Sequence, residues 1–330
     1  MDGHSSEPAA SERVDTSTPH PARRYDYLLG GKDNFEADRQ AADEIVARRP
    51  TARLSVWENR WFLHRAVRFM AAQGCGSSWT SAPGIPTSPN THEIAQQIDP
   101  AARVVYVDND PLVLTHDPAL LTGSPRGRTA YLEADLRQPQ TILNDPQLPE
   151  TLDLARPVGL LLIAVLHFIR DDDDPRAILG TLVESLAPGG FVVASHATPE
   201  YMPRSSWPPC ARSWSRSGPN GRAPSSRPSS TAPTSNRSSP VQSVSRWWAE
   251  DAPDPRPAVE EVACNGIVLR LTNHERARRG VAAGRRPEFD TPRGVGLWSG
   301  GGYARQAGGR MRGDGGRGLA GVCLLLAVVG

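Results

Sequence analysis

The chain has 330 residues, with 37 Lys and Arg against 36 Asp and Glu and a formal net charge of +1, so its overall electrostatics select no strongly charged partner. Hydrophobic residues make up 38%, beside 30 Gly and 31 Pro, which is low for a compact domain and implies that part of the chain is not packed. Cys75, Cys210, Cys264 and Cys323 stand without CxxC spacing, which argues against a zinc site or a disulfide framework and suits a reducing cytoplasm.

Residues 1–19 are polar, carry no apolar signal core and read as disordered. From 20 to 73 the pattern is helical in pieces, "DRQAADEIVAR" (38–48) and "NRWFLHRAVRFMAA" (59–72), separated from the start by the glycine turn in "YLLGGKDNF". Then strands alternate with helices. "ARVVYVDND" (102–110), "TAYLEAD" (129–135), "VGLLLIAVLHFI" (158–169) and "FVVASHA" (191–197) read as buried parallel strands, and "DPRAILGTLVESLAPGG" (174–190) as a helix stopped by Pro188 and two glycines. The expected fold is a doubly wound α/β sheet. Between Ser205 and Pro240 there is no Leu, Ile, Val or Phe, the texture of a disordered Ser/Pro/Arg linker. "VSRWW" and "NGIVLRL" read as folded again, and 273–330 as a disordered Gly/Arg-rich tail. The apolar end from Leu319 to Val329 is shorter than the roughly 20 residues a membrane helix needs. A cytoplasmic location without membrane insertion is expected.

Three acidic or basic positions suggest chemistry. An acid at the carboxyl end of the second strand of such a sheet commonly accepts both ribose hydroxyls; Asp108 either does so or ends its strand and caps the next helix. Asp135, past the third strand, accepts from an adenine amino group or serves as a turn residue. His167 lies near the carboxyl end of the fourth strand, as a substrate contact or a structural histidine. "RDDDDP" (170–175) reads as a solvated helix start, so no metal is expected.

The order of these pieces resembles a bacterial family of class I S-adenosylmethionine-dependent methyltransferases. The resemblance rests on "ARRYDYLLGGKDNFEADRQAA" (22–42), "NRWFLHRAVRFMAAQG" (59–74), "GIPTSPNTHEIAQ" (84–96), "RVVYVDNDPLVL" (103–114), "YLEADLRQP" (131–139), "RPVGLLLIAVLHFIRDDDDP" (156–175) and "LAPGGFVVASH" (186–196). It implies a Rossmann-like methyltransferase domain over 74–272, an N-terminal helical cover over 20–73, and S-adenosyl-L-methionine as cofactor. It further implies that Gly84, Thr87, Asn90 and Glu93 belong to the first cofactor loop and that Asp108, Asn109 and Asp135 hold the nucleoside. Tyr25, Tyr27, Gly30 and Gly31 would contribute to the cover, and His167 to the acceptor side. The acceptor is unidentified, a small molecule in preference to nucleic acid. Other readings are a non-catalytic relic of the fold, a nicotinamide oxidoreductase using Asp108 (though no GxGxxG follows a first strand), and nucleic-acid binding through the Arg/Gly tail.

One departure stands out. Ahead of "GIPTSPNTHE" the resemblance implies a segment such as "RQFLDIGTG", a strand, an acid and a glycine turn, where this chain has "CGSSWTSAPG". Trp is encoded only by TGG and Thr by ACN, so a one-base slide at the Trp79–Thr80 junction must read GAC, which is Asp. Suitable codons for Cys75–Pro83 then yield R-Q-F-L-D-I-G-T. The same slide turns 205–240 into helix-forming sequence. Both windows are expected to be out-of-frame translations, with the apolar first strand lost from the printed chain.

Overall fold

The computed structural model describes residues 14–115, 123–198, 241–247 and 255–271. The expected disordered stretch at 205–240 and the Gly/Arg-rich tail fall outside them. Of the N-terminal stretch expected to be disordered, residues 14–19 are described, and the Arg23 guanidinium donates to the Asp15 carbonyl at 2.9 Å.

Among the described residues, seven strands form one sheet: β1 (Ser78–Ser81), β2 (Arg103–Asp108), β3 (Arg128–Glu133), β4 (Gly159–Leu162), β5 (Phe191–Ala197), β6 (Val241–Ser243) and β7 (Cys264–Arg270). Their spatial order is β3-β2-β1-β4-β5-β7-β6. The first five strands pair in parallel, while β7 runs antiparallel to β5 and β6. The chain winds outward from β1 through β2 to β3 on one side and through β4 to β5 on the other. That places the switch point, where the crevice for a ligand opens, between the carboxyl ends of β1 and β4.

The helices are α1 (Pro21–Leu29), α2 (Glu36–Arg48), α3 (Ala52–Ala72), α4 (Thr91–Ile98), α5 (Pro111–Thr115), α6 (Pro139–Leu143), α7 (Gln147–Thr151), α8 (Pro175–Glu184) and α9 (Val259–Val262). Each face of the sheet buries one core. Trp79, Val105, Leu160 and Val192 pack with Ile178, Leu179 and Leu182 of α8 on one side. On the other, Val104, Leu161 and Val193 meet Phe62, Ala66 and Met70 of α3 and Ile94 of α4. Thus α3 is both cover and sandwich layer; it begins seven residues before the expected Asn59 because Ala52 to Glu58 continue the helix over the crevice. The expected strand at 158–169 is four residues long, since Ala164 at φ 53° breaks it and a 3-10 turn follows at Leu166–Phe168.

The expected loss of the first strand is not what the structure shows. Ser78–Ser81 pairs with both β2 and β4 at the centre of the sheet. Ladder hydrogen bonds come from the backbone, so polar side chains do not abolish the pairing. They do leave a mark: Ser78 Oγ, Trp79 Nε1, Thr80 Oγ1 and Ser81 Oγ are all buried without a hydrogen-bond partner.

Candidate functional site

A cavity of about 670 Å³ lies over the carboxyl ends of the parallel strands, beneath α1, the end of α2 and the start of α3. Its size falls in the ~300–1,000 Å³ range of sites that enclose a small ligand.

The turn after β1 and the end of β2 form one wall. The Gly84 amide donates to Asp108 Oδ2 at 3.1 Å, and the Asp110 amide to Oδ1 at 3.0 Å. Burial raises the Asp108 carboxyl above its ordinary range, against the opposing pull of those two amides. A carboxylate has about four acceptor sites, so both oxygens retain capacity for a pair of hydroxyls. Asn109, Asp135 and Ile163 continue this wall. Arg137 grips Asp135 through Nε at 3.0 and 2.9 Å and holds its carboxyl low.

Of the residues expected at the site, Gly84, Asn90, Asp108, Asn109, Asp135, Tyr25 and His167 line this cavity, whereas Thr87, Glu93, Tyr27, Gly30 and Gly31 do not. Each of the latter has a local task. Glu93 accepts from the Asn90 amide and from Ser88 Oγ, and the Thr87 amide donates to Asn90 Oδ1 at 3.1 Å, capping α4. The Tyr27 hydroxyl donates to Asp43 at 3.0 Å. Gly30 ends α1 in the left-handed region at φ 89°, and a Cβ at Gly31 would sit 1.8 Å from Asp26 Oδ1.

The cover is tied down beside Asp108. Asp110 Oδ2 meets Arg23 Nε at 3.2 Å and His20 Nδ1 at 3.0 Å, with Arg23 and Asp110 both buried. Burial pushes the Asp110 carboxyl up, but the His20 contacts and Arg23 outweigh it and hold it below the usual value. Asp38 of α2 accepts from the His20 amide at 2.8 Å and the Phe35 amide at 2.9 Å.

The opposite end of the cavity has a different character. His167 sits there with its ring 4.3 Å from Phe168 and 5.4 Å from His196. Protein packed around the ring depresses its imidazolium, and His196 and Arg24 add to the effect, but the side chain is exposed and cavity water screens much of that depression. Tyr25 donates to the Val56 carbonyl at 3.2 Å and accepts from Asn59 Nδ2 at 2.9 Å, and burial pushes its phenol up to about 12. Burial also pushes the Cys264 thiol up to about 12, which keeps it protonated. Arg24, Arg49 and Arg60 line the cavity too; no local sequence pattern singled them out, because each comes from a different turn of the cover. Among the described residues no group of three or more potential ligands is placed to hold a metal ion, and no helix is long and apolar enough to cross a membrane.

A parallel sheet with a carboxylate at the end of β2 beside the switch-point crevice defines a Rossmann-like nucleotide-cofactor protein. A family model described as S-adenosyl methyltransferase matches residues 7–215, and the chain belongs to that family. Two solved structures are similar to it. A DUF574 family protein from Streptomyces avermitilis is 37% identical over 78% of this chain and 99% of that one, with a TM-score of 0.67. A protein described as a methyltransferase from Thermobifida fusca is 34% identical over 78% and 97%, with a TM-score of 0.64. No curated protein sequence matches the chain. The cofactor is S-adenosylmethionine. The cavity's donor set suits it: Asp108 retains acceptor capacity for hydroxyls, and buried Arg60 Nε and Thr80 Oγ1 on the lining residues lack partners.

Proposed function

We propose that the chain transfers a methyl group from S-adenosylmethionine to a small-molecule acceptor held beneath the cover, at the His167 end of the cavity. One observation carries this reading: a single cleft runs from Gly84 and Asp108 to His167 and Cys264, so a ligand held at β2 and one held beyond β4 share one continuous space. The bound cofactor supplies an electrophilic methyl, and the protein's contribution is to place the acceptor in line with it and exclude water. Asp108 orients the ribose, and Asn109 with Asp135 borders the adenine side. Tyr25, fixed by Val56 and Asn59, forms part of the roof. A neutral imidazole at His167 is in a state to accept a proton from an acceptor hydroxyl or amine. The buried free thiols Cys75 and Cys264 support a reducing, cytoplasmic setting.

A second reading, a cofactor-binding fold without turnover, is favoured by the turn after β1. Ala82 lies at φ 51°, in a region that favours glycine, and Thr80 stands where the related motif carries its acid. Titration calorimetry with S-adenosylhomocysteine tests both. Saturable 1:1 binding that exceeds NADH binding is expected; preference for NADH, or no binding, refutes the cofactor reading for this chain. Binding without methylation of any acceptor in a tritiated-methyl screen favours the second reading.

A further inference from the structure

We infer that the acceptor is an organic anion, a carboxylate or phosphate group carried on an apolar body, with Arg24 and Arg49 binding the anionic end. The inference rests on the methyl-transfer reading and concerns the same cavity's second half.

The two arginines are unusual in what they do not touch. Arg24, on α1, makes no side-chain hydrogen bond or ion pair among the described residues, and its Nε is buried without a partner. Arg49, just past α2, donates from Nη2 to the Glu261 carbonyl at 2.7 Å, while its Nε is likewise buried and unpartnered. Both line the cavity. A guanidinium's planar fork of N–H donors matches the oxygens of a carboxylate or phosphate, and a buried donor left without an acceptor is costly. Arg23 meets Asp110 and Arg137 meets Asp135, while Arg60, which shares the unpartnered Nε, has its Nη2 on the Thr87 and Pro89 carbonyls.

Charge in the cavity is segregated. Among the described residues its two carboxylates are Asp108, the last residue of β2, and Asp135, just past β3. The other half, where His167 feels Arg24 and Cys264 feels Arg49, has no acid among its described lining residues; Asp38, buried behind the wall, acts on Arg24 from outside the cavity. Its walls are apolar. Two of the large hydrophobic side chains left exposed among the described residues, Ile45 at 37% and Phe168 at 47%, lie here, with Leu28 and Ile169 beside them. An apolar body against Phe168 and Ile45, with an anion on the guanidinium groups, satisfies both features, whereas a neutral acceptor offers only an uncharged oxygen and a cationic one is repelled.

The test uses the full chain saturated with S-adenosylhomocysteine and three probes of one shape, benzoate, phenyl phosphate and benzamide, followed by calorimetry. At least one of the two anions is expected to bind ten times more tightly than benzamide, and whichever anion is tighter identifies the group. In the double variant Arg24→Met, Arg49→Met that preference should vanish while S-adenosylhomocysteine binds as before. Benzamide binding as well as both anions, or a preference unchanged in the double variant, overturns the inference. The comparison of probes on the unmodified chain decides the matter even if the variant does not fold. Failure of S-adenosylhomocysteine to bind tells against the methyl-transfer reading; its retention without anion preference tells against this inference alone.

Discussion

Replacing the centre of β1 is the most searching perturbation of this molecule. The out-of-frame reading, aligned so that Gly84 is kept, corresponds to Ser78→Phe, Trp79→Leu, Thr80→Asp, Ser81→Ile, Ala82→Gly and Pro83→Thr. Its glycine falls on Ala82, which lies at φ 51°, and its acid on Thr80, which lines the cavity with an unpartnered Oγ1. Trp79 and Ser81 share a face of the sheet with Val105 and Val107, so the exchange moves bulk from one position to the other within the same core. Three of the changes remove the orphaned Ser78 Oγ, Trp79 Nε1 and Ser81 Oγ, each costing about 1–3 kcal/mol, and Ala82→Gly relieves about 1 kcal/mol of left-handed backbone. Taking only about 3 kcal/mol as the gain, thermal unfolding should rise by about 6–12 °C, at roughly 2–4 °C per kcal/mol for a domain of this size. Differential scanning calorimetry of the unmodified and replaced chains measures it. A second pair, with and without Thr80→Asp, separates packing from binding: the acid should tighten S-adenosylhomocysteine by tenfold or more without adding to apo stability. An equal or lower melting temperature after replacement would refute the physical basis of the frame reading, and gene sequence with codons that cannot yield R-Q-F-L-D-I-G-T across Cys75–Pro83 would refute its genetic basis.

Asp108→Ala should weaken S-adenosylhomocysteine at least tenfold by calorimetry while the chain still unfolds cooperatively; undiminished affinity would show that Asp108 only organises the Gly84 and Asp110 amides. Asp110→Ala removes the nearer of Arg23's two carboxylate partners, leaving it Asp38 at 3.7 Å and the Asp15 carbonyl, a loss of about 1–3 kcal/mol, so chemical denaturation should show reduced stability, and proteolysis should cut first between α1 and α2; a midpoint within error of the parent contradicts the cover's attachment there. Burial, with Arg60, Arg68 and Arg65 nearby, lowers the His64 pKa to about 3. The unfolded chain therefore binds the proton first, so the stability contributed by neutral His64 is present above about 6.5 and is lost as pH falls from there toward about 3. Thermal melts at pH 7 and pH 4.5 should differ less for His64→Gln than for the parent, and an unchanged difference would point to another group.

Much of the scaffold was legible because burial on both faces writes itself into composition. The run "RVVYVD" and "FVVASHA" announced β2 and β5 nearly to the residue, and Asp108, ending such a run, was placed at the cavity by strand direction alone. Helix α1 was not foreseen as a separate helix, since its apolar residues are few and it is ordered by packing under Asp110 and Asp38. The strand at Ser78–Ser81 was unreadable for the opposite reason. Its side chains contradict its position, and only pairing with β2 and β4 holds it.

By itself, then, the order of apolar runs and acids determined the doubly wound sheet, the family and the end of the cavity that Asp108 and Asp135 line, because strand period and strand-end position are local properties of a sequence. Which side chains share the other end was decided by tertiary structure. Arg24 from α1, Arg49 from the end of α2, His167 after β4 and Cys264 at the start of β7 are separated by up to 240 residues of chain, and no spacing rule links them. They meet because α1–α3 fold back across the carboxyl ends of the strands, a contact made by the buried Arg23–Asp110 pair and by the packing of Phe62 and Met70 on the sheet.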